Sequence, residues 1–172
     1  MDTYMEFMVK RPMTTADKVK RIWFMVLIAF AAIGWFLFLG VQIISYAFFI
    51  IGVVLVLFYI YFVVPGTDIE FEYLYLDKEI TVDKILGKEK RKTMGVYAVD
   101  KIELMCPSRS ERGAYKNASG NLMVYNYTSR TESDEYEPYD IFLEGNVKIV
   151  LDLPVDFVKM VQTNAPRKVF LD

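Results

Sequence analysis

The chain has 172 residues, 54% of them apolar, a formal net charge of −2, no histidine and one cysteine, Cys106. This composition excludes an intrachain disulfide, a Cys/His metal site and nucleophilic catalysis through a histidine base. Residues 1–21 carry five basic and three acidic groups, and residues 66–172 fifteen basic and nineteen acidic. The second segment therefore lacks the basic excess of a nucleic-acid binder.

Residues 1–21 read as a basic N-terminal tail. Within them Tyr4, Met5, Phe7 and Met8 follow an i, i+1, i+3, i+4 spacing. That spacing predicts a short amphipathic helix on a membrane surface, with a disordered tail as the alternative. Pro12 separates this piece from the next. Thr14 followed by Asp17 predicts a capping box, and so a helix that starts there.

The stretch Ile22–Val64 contains no Asp, Glu, Lys or Arg. As one helix its 43 residues would be roughly 64 Å long, against a hydrocarbon core of about 30 Å. Two transmembrane helices are expected instead, at about 22–39 and 43–64, with the turn near Gly40. Gln42 and Ser45, the only strongly polar residues in the stretch, are expected to face water at that turn. Pro65-Gly66 is expected to end the second helix. Trp23, Trp35, Tyr46, Tyr59 and Tyr61 sit near the ends of the two spans. They are expected to anchor them at the membrane interfaces. The run is too long for a signal-peptide core, and no small-residue cleavage site follows it. Neither span holds an ionisable side chain, as ion and proton pathways do, and neither holds a small-xxx-small pair. A passive hairpin anchor is expected.

Lys10, Arg11, Lys18, Lys20 and Arg21 precede the first span, and the turn between spans has no Lys or Arg. The positive-inside rule then predicts a multi-pass protein of the cell membrane with both termini in the cytoplasm.

From Pro65 the apolar period changes to two. Ile69, Phe71, Tyr73 and Tyr75 alternate with Glu70 and Glu72, which predicts a strand over 68–76. Turns at Asp77-Lys78 and Gly87–Lys90 separate it from strands at 79–86 and 91–98. A strand at 101–106 follows, with Ile102 and Leu104 inward. Residues 107–120 read as a polar loop, 121–128 as a strand, 129–138 as an acidic loop. Strands at 139–143 and 147–151 complete the set. Pro154 opens a helix, Phe157, Val158 and Val161 form its apolar stripe, and Ala165-Pro166 ends it. Residues 66–172 thus read as one α+β domain: a seven-stranded antiparallel barrel closed by a C-terminal helix.

This order of elements resembles the pleckstrin-homology (PH) superfold. The stretch FEYLYLDKEITVDKILGKEKRKTMGVYAVDKIELM is similar to the opening strands of bacterial PH-like domains that follow membrane helices. It includes a basic turn and the segment Val99-Asp100-Lys101-Ile102-Glu103. With its MDTYMEFMVKR start, the whole chain resembles small bacterial two-span membrane proteins of unknown function. The resemblance implies a fold far more than an activity.

The candidate contact for anionic lipid is Lys88, Lys90, Arg91 and Lys92, each worth about 1 kcal/mol at a charged surface. Lipid-binding PH domains place basic residues around the first hairpin turn. Here that turn, Leu76-Asp77-Lys78-Glu79, has one Lys between two acids, so the resemblance does not carry headgroup recognition to it. Asp134, Glu135 and Glu137 read as a solvated loop. Asn117-Ala118-Ser119 and Asn126-Tyr127-Thr128 match glycosylation triplets, which a cytoplasmic placement leaves unused. No catalytic, metal or cofactor residue is read, and no cofactor is expected. The sequence therefore points to a non-enzymatic integral membrane protein with a PH-like interaction or scaffold domain at the cytoplasmic face. Its expected partners are the bilayer and a protein. The alternatives are an accessory subunit of a larger membrane or transport complex, and a membrane enzyme.

Overall fold

A computed structural model describes residues 4–118 and 121–171. Met1 to Thr3 of the tail, Ser119 of the first glycosylation triplet, Gly120 and Asp172 lie outside them. The chain divides into two compact units. One comprises Met13–Ile69 and Leu86–Lys90, and the other holds the described residues before Met13, Glu70–Ile85 and Arg91 onward.

The first unit is a helical hairpin. Helix α1, Thr15–Leu37, begins at the capping box: Asp17 N donates to Thr14 Oγ1 (3.2 Å) and Thr14 N to Asp17 Oδ2 (3.1 Å). A turn at residues 38–41 leads into α2, Gln42–Phe58. The helical path continues through a wide π turn, Tyr59–Val63, into the short helix α3, Val64–Thr67. Thr15–Leu37 and Gln42–Thr67 are each long and apolar enough to cross a membrane, with mean hydropathies of 1.7 and 2.9.

Two expectations for this unit are corrected. Pro65-Gly66 does not end the second helix. Val64 N–H reaches back five residues to Tyr59 O, and Pro65 falls in the opening turn of α3, where its missing N–H costs nothing. The helix ends at Thr67, where side chains cap its carbonyls. Thr67 Oγ1 donates to Val63 O (2.9 Å), and Arg21 Nη2 to Val64 O (3.1 Å). Arg21 Nε also donates to Thr67 Oγ1 (2.6 Å) and so ties the two helices together at their shared end. Nor does Ser45 face water. It is buried and its hydroxyl donates to Trp35 O (3.3 Å), which satisfies it inside the hairpin. Gln42 is exposed.

Small residues make that packing possible. Gly34 and Ala31 of α1 are buried, and a Cβ at Gly34 would stand 2.5 Å from the Phe48 ring. A Cβ built on Gly52 would lie 3.6 Å from Ala31 Cβ. The pair Ala31/Gly34 is spaced i, i+3, so a search for i, i+4 pairs misses it.

The second unit carries two four-stranded sheets. In the first the order is β1-β2-β3-β4: Met5–Arg11, Ile69–Leu76, Glu79–Leu86 and Lys90–Ala98. Further strands are β5 (Ile102–Pro107), β6 (Met123–Asn126), β7 (Glu137–Leu143) and β8 (Val147–Leu153), and their order is β5-β7-β8-β6. Helix α4, Glu111–Ala118, follows β5, and α5, Val155–Asn164, follows β8.

The closed seven-stranded barrel is thereby corrected to eight strands in two unclosed sheets among the described residues. One cause is β1. Its side chains alternate, with Val9 buried and Met5 and Phe7 half-buried on one face, and Phe7 packs edge-on to Tyr136 at 5.8 Å. The period was two, not 3.6, so the expected amphipathic helix is a strand. The other cause is β6, which runs parallel to β8 and is only four residues long. The expected polar loop after β5 contains α4, because Gly113 lets the helix approach β5: a Cβ there would meet Cys106 Sγ at 3.2 Å. Leu104 is half-buried and Met105 buried instead, because the register of β5 shifts between Ile102 and Leu104.

The core follows the apolar pattern. Phe71, Tyr73, Tyr75, Ile80, Val82 and Ile102 are buried, and α5 contributes Phe157, Val158 and Val161. Pro154 stands one residue before the helix as its N-cap, and Ala165 is its C-cap. Phe157 packs edge-on to Tyr75 at 6.1 Å, and Asn164 Nδ2 donates to Tyr75 OH (2.7 Å). Cys106 is a buried core residue.

Candidate functional site

The basic turn is built by local backbone chemistry. Gly87 and Lys88 both have positive φ (59° and 62°), the type I′ geometry that matches strand twist. Gly87 N donates to Asp68 O (2.8 Å), and a Cβ on Gly87 would meet Pro65 Cα at 2.9 Å. The turn is thus seated against the last residues of the second apolar helix, and only glycine fits there. Lys88 and Lys90, both exposed, are held beside that helix end.

The strand pleat divides the rest of the cluster. Arg91 points to the opposite face from Lys90 and Lys92. Its Nη2 donates to Glu72 Oε1 (2.8 Å), and Nη1 lies 3.8 Å from Asp83 Oδ2. Arg91 is therefore committed to carboxylates, while Lys92 is exposed. Of the proposed anchors, Trp23, Trp35, Tyr46 and Tyr61 are exposed on the hairpin and Tyr59 is half-buried.

A cleft of about 590 Å³ opens at the first hairpin turn. Lys78, Arg167 and Lys168 line it together with Asp77, Glu79 and Asp100, so its charges balance. Lys168 Nζ donates to Asp100 O (2.8 Å). Such a lining does not favour an anion. The sequence missed Arg167 and Lys168 here, because they reach the turn only through the chain beyond α5, where Met105 N donates to Lys168 O (2.8 Å).

A second cleft, of about 540 Å³, lies beside the acidic loop. Asp134 and Glu137 line it with Arg109 and Arg130. Its buried carboxylate, Asp152, accepts hydrogen bonds from Ser129 N (2.6 Å) and Ser129 Oγ (2.7 Å) and so pins the loop. Nearby, burial pushes the Tyr73 hydroxyl far above the usual phenol range, and it donates to Tyr127 O (2.7 Å). Beneath α4 a buried Asp140–Lys148 pair is completed by Ser108 Oγ (2.6 Å from Asp140) and Asn117 Oδ1 (3.0 Å from Lys148). Each of these groups is satisfied by a neighbour in the fold. Among the described residues, no three Asp, Glu or Cys side chains gather into a metal site.

Comparison with curated proteins and with solved structures gives no match. The family model described as Bacterial PH-like domain (DUF6106) matches residues 1–171, and the protein belongs to that family.

Proposed function

We propose that this protein is a two-span integral membrane protein whose PH-like unit serves as a non-enzymatic interaction module at the cytoplasmic face. The observation that carries the reading is the pairing of β1 with β2. β1 precedes the helical hairpin, β2 follows it, and the two are neighbours in one sheet. Segments on opposite sides of a bilayer cannot pair, so this adjacency supports an even number of crossings. The Lys/Arg residues before α1, and their absence from the turn, support the cytoplasm as the shared side. Trp23, Trp35, Tyr46, Tyr59 and Tyr61 then act as interfacial anchors. Lys88 and Lys90 add a non-specific attraction to anionic lipid beside the helix exit.

The module role rests on chemistry. The chain has no histidine, and its buried Asp140 and Asp152 serve as structural partners of serine hydroxyls. The unit therefore acts through its surface, on a protein partner. Cysteine labelling of intact cells tests the topology. The native Cys106 is buried and serves as a silent background. A cysteine replacing Gln42 should react with an impermeant maleimide, and one replacing Tyr115, which is 83% exposed, should react only after lysis. The reverse pattern overturns the proposal. Crosslinking in native membranes followed by pull-down then tests for the protein partner. Loss of every stoichiometric adduct would refute the module role.

A further inference from the structure

The sheet edges among the described residues are not guarded alike. β1 carries Glu6, Lys10 and Arg11, and β4 carries Lys90, Arg91 and Lys92. Charges on an edge strand discourage a further strand from adding to it. On β5 the chain beyond α5 occupies part of the edge: Met105 N–H donates to Lys168 O (2.8 Å), and Phe170 N–H to Met105 O (2.8 Å). β6 has neither device. It consists of Met123, Val124, Tyr125 and Asn126, and the uncharged run that holds it, residues 117–129, is the longest after Gly66.

Both faces of β6 are open. Met123 is 59% exposed, Val124 54% and Tyr125 40%, although successive side chains of a strand point to opposite sides. Three consecutive exposed apolar residues on an unguarded edge mark a contact surface.

The ladder fixes which backbone groups point outward. β6 runs parallel to β8, with Met123 beside Val147 and Asn126 beside Val150. Met123 N–H donates to Asn146 O (2.9 Å), and Tyr127 N–H to Val150 O (3.0 Å), both towards β8. Alternation along the strand then turns the N–H and C=O of Leu122, Val124 and Asn126 away from β8. Among the described residues no strand lies on that side. The outward groups are centred on Val124, so they match a copy of themselves turned by a half rotation about that residue.

We propose that β6 is a self-pairing edge, at which two copies of the chain join β6 to β6 antiparallel about a two-fold axis at Val124. Val124 exchanges its N–H and C=O with the Val124 of the second copy, and Leu122 does so with the second copy's Asn126. Met123 stands opposite the second copy's Tyr125, a sulfur–aromatic pairing. Two-fold pairing places an edge against itself, and an uncharged edge meets no repulsion there. A charged segment of another protein finds no counter-charge on β6, which favours the second copy as occupant. The joined sheet runs β5-β7-β8-β6 in one copy and continues β6-β8-β7-β5 in the other. Since the ladder is short, the dimer is weak and concentration-dependent. Self-pairing needs neither the topology nor the protein partner proposed above, so its failure would leave both untouched.

Register-specific disulfide trapping on the intact protein in detergent tests this. Cys106 is buried and stays in place. Residues directly opposite in an antiparallel pair have Cα atoms about 4.5–5.5 Å apart, within disulfide reach, while positions two residues off lie beyond about 7 Å. Val124→Cys should therefore cross-link to itself under mild oxidation, with a yield that rises with protein concentration. Met123→Cys alone and Tyr125→Cys alone should not, whereas a mixture of those two variants should. Val124→Lys supplies a second readout, by native mass spectrometry. It sets two lysines opposite each other at an exposed position and should lower the dimer fraction by about tenfold or more, with the near-UV circular dichroism unchanged. Equal trapping of Val124→Cys and Met123→Cys overturns the proposal, because Met123 is the more exposed and random collision favours it. A wild-type protein that stays monomeric at every concentration overturns it too, as does Val124→Lys dimerising like the wild type.

Discussion

The hairpin and the two-sheet unit treat the same side chains in opposite ways. Phe36 of α1 is 70% exposed, while Phe142 and Phe157 of the sheet unit are fully buried. The sheet unit hides its aromatics between strands and α5. In the hairpin Ala31, Gly34, Ser45 and Gly52 let the helices come close, Phe48 packs on Gly34, and large residues such as Phe30, Phe36 and Ile43 are exposed. Each arrangement suits one solvent. An outward apolar surface of this size fits the bilayer placement proposed above, where close packing of small residues replaces the hydrophobic effect as the force between helices. The two units therefore fail by different substitutions.

The largest effect is expected from Phe157→Asp. It buries an unpaired charge against Tyr75 and should cost more than about 4 kcal/mol. The cooperative melt of the sheet unit, followed by near-UV circular dichroism in nanodiscs, should disappear while the helical signal of the hairpin persists. A near wild-type melt would show that α5 does not close the core. Gly34→Leu is the mirror test. It drives a branched side chain into Phe48 and should cost about 1–3 kcal/mol in the hairpin alone. Disulfide trapping between cysteines placed on α1 and α2 should slow, with the sheet melt unchanged. A sheet unit that melts earlier in this variant would erase the contrast. The smallest effect is expected from Lys88→Ser with Lys90→Ser. Residues 66–172 expressed alone carry net charge −4, so their attraction to anionic vesicles is weak. Removing the two lysines should lower it by about 1 kcal/mol each, and 0.5 M salt, where the screening length falls well below about 8 Å, should abolish what is left. Salt-resistant binding to one headgroup would make the turn a recognition site.

Much of this architecture was legible because period and punctuation agreed. An uncharged run twice the thickness of a bilayer, a capping box at Thr14, two short hairpin turns and an apolar stripe at Phe157 each have a local cause. What escaped had a distant cause. β1 carries both periods in seven residues, and only β2, far along the chain, selects the alternating one. Gly113 reads as a loop residue until β5 lies beneath it. The basic cluster reads as one patch, but the pleat turns Arg91 towards Glu72 and Asp83, residues of two other strands. The clefts were illegible for the same reason: Arg167 meets Asp77 only after the chain beyond α5 has folded back.

The pairing of β1 with β2 also has a meaning in time. β1 leaves the ribosome before β2, which follows only after the whole helical hairpin has been made. On the proposed two-span topology the two strands can meet only if both helices have been threaded, since one missed crossing would strand β1 on the far side and leave the edge of β2 bare. A correctly inserted hairpin brings its own ends together and so removes most of the entropy of closing that long loop. The completed sheet is thus a record of correct insertion. A misinserted chain carries an open strand edge, the feature that invites aggregation and proteolytic removal.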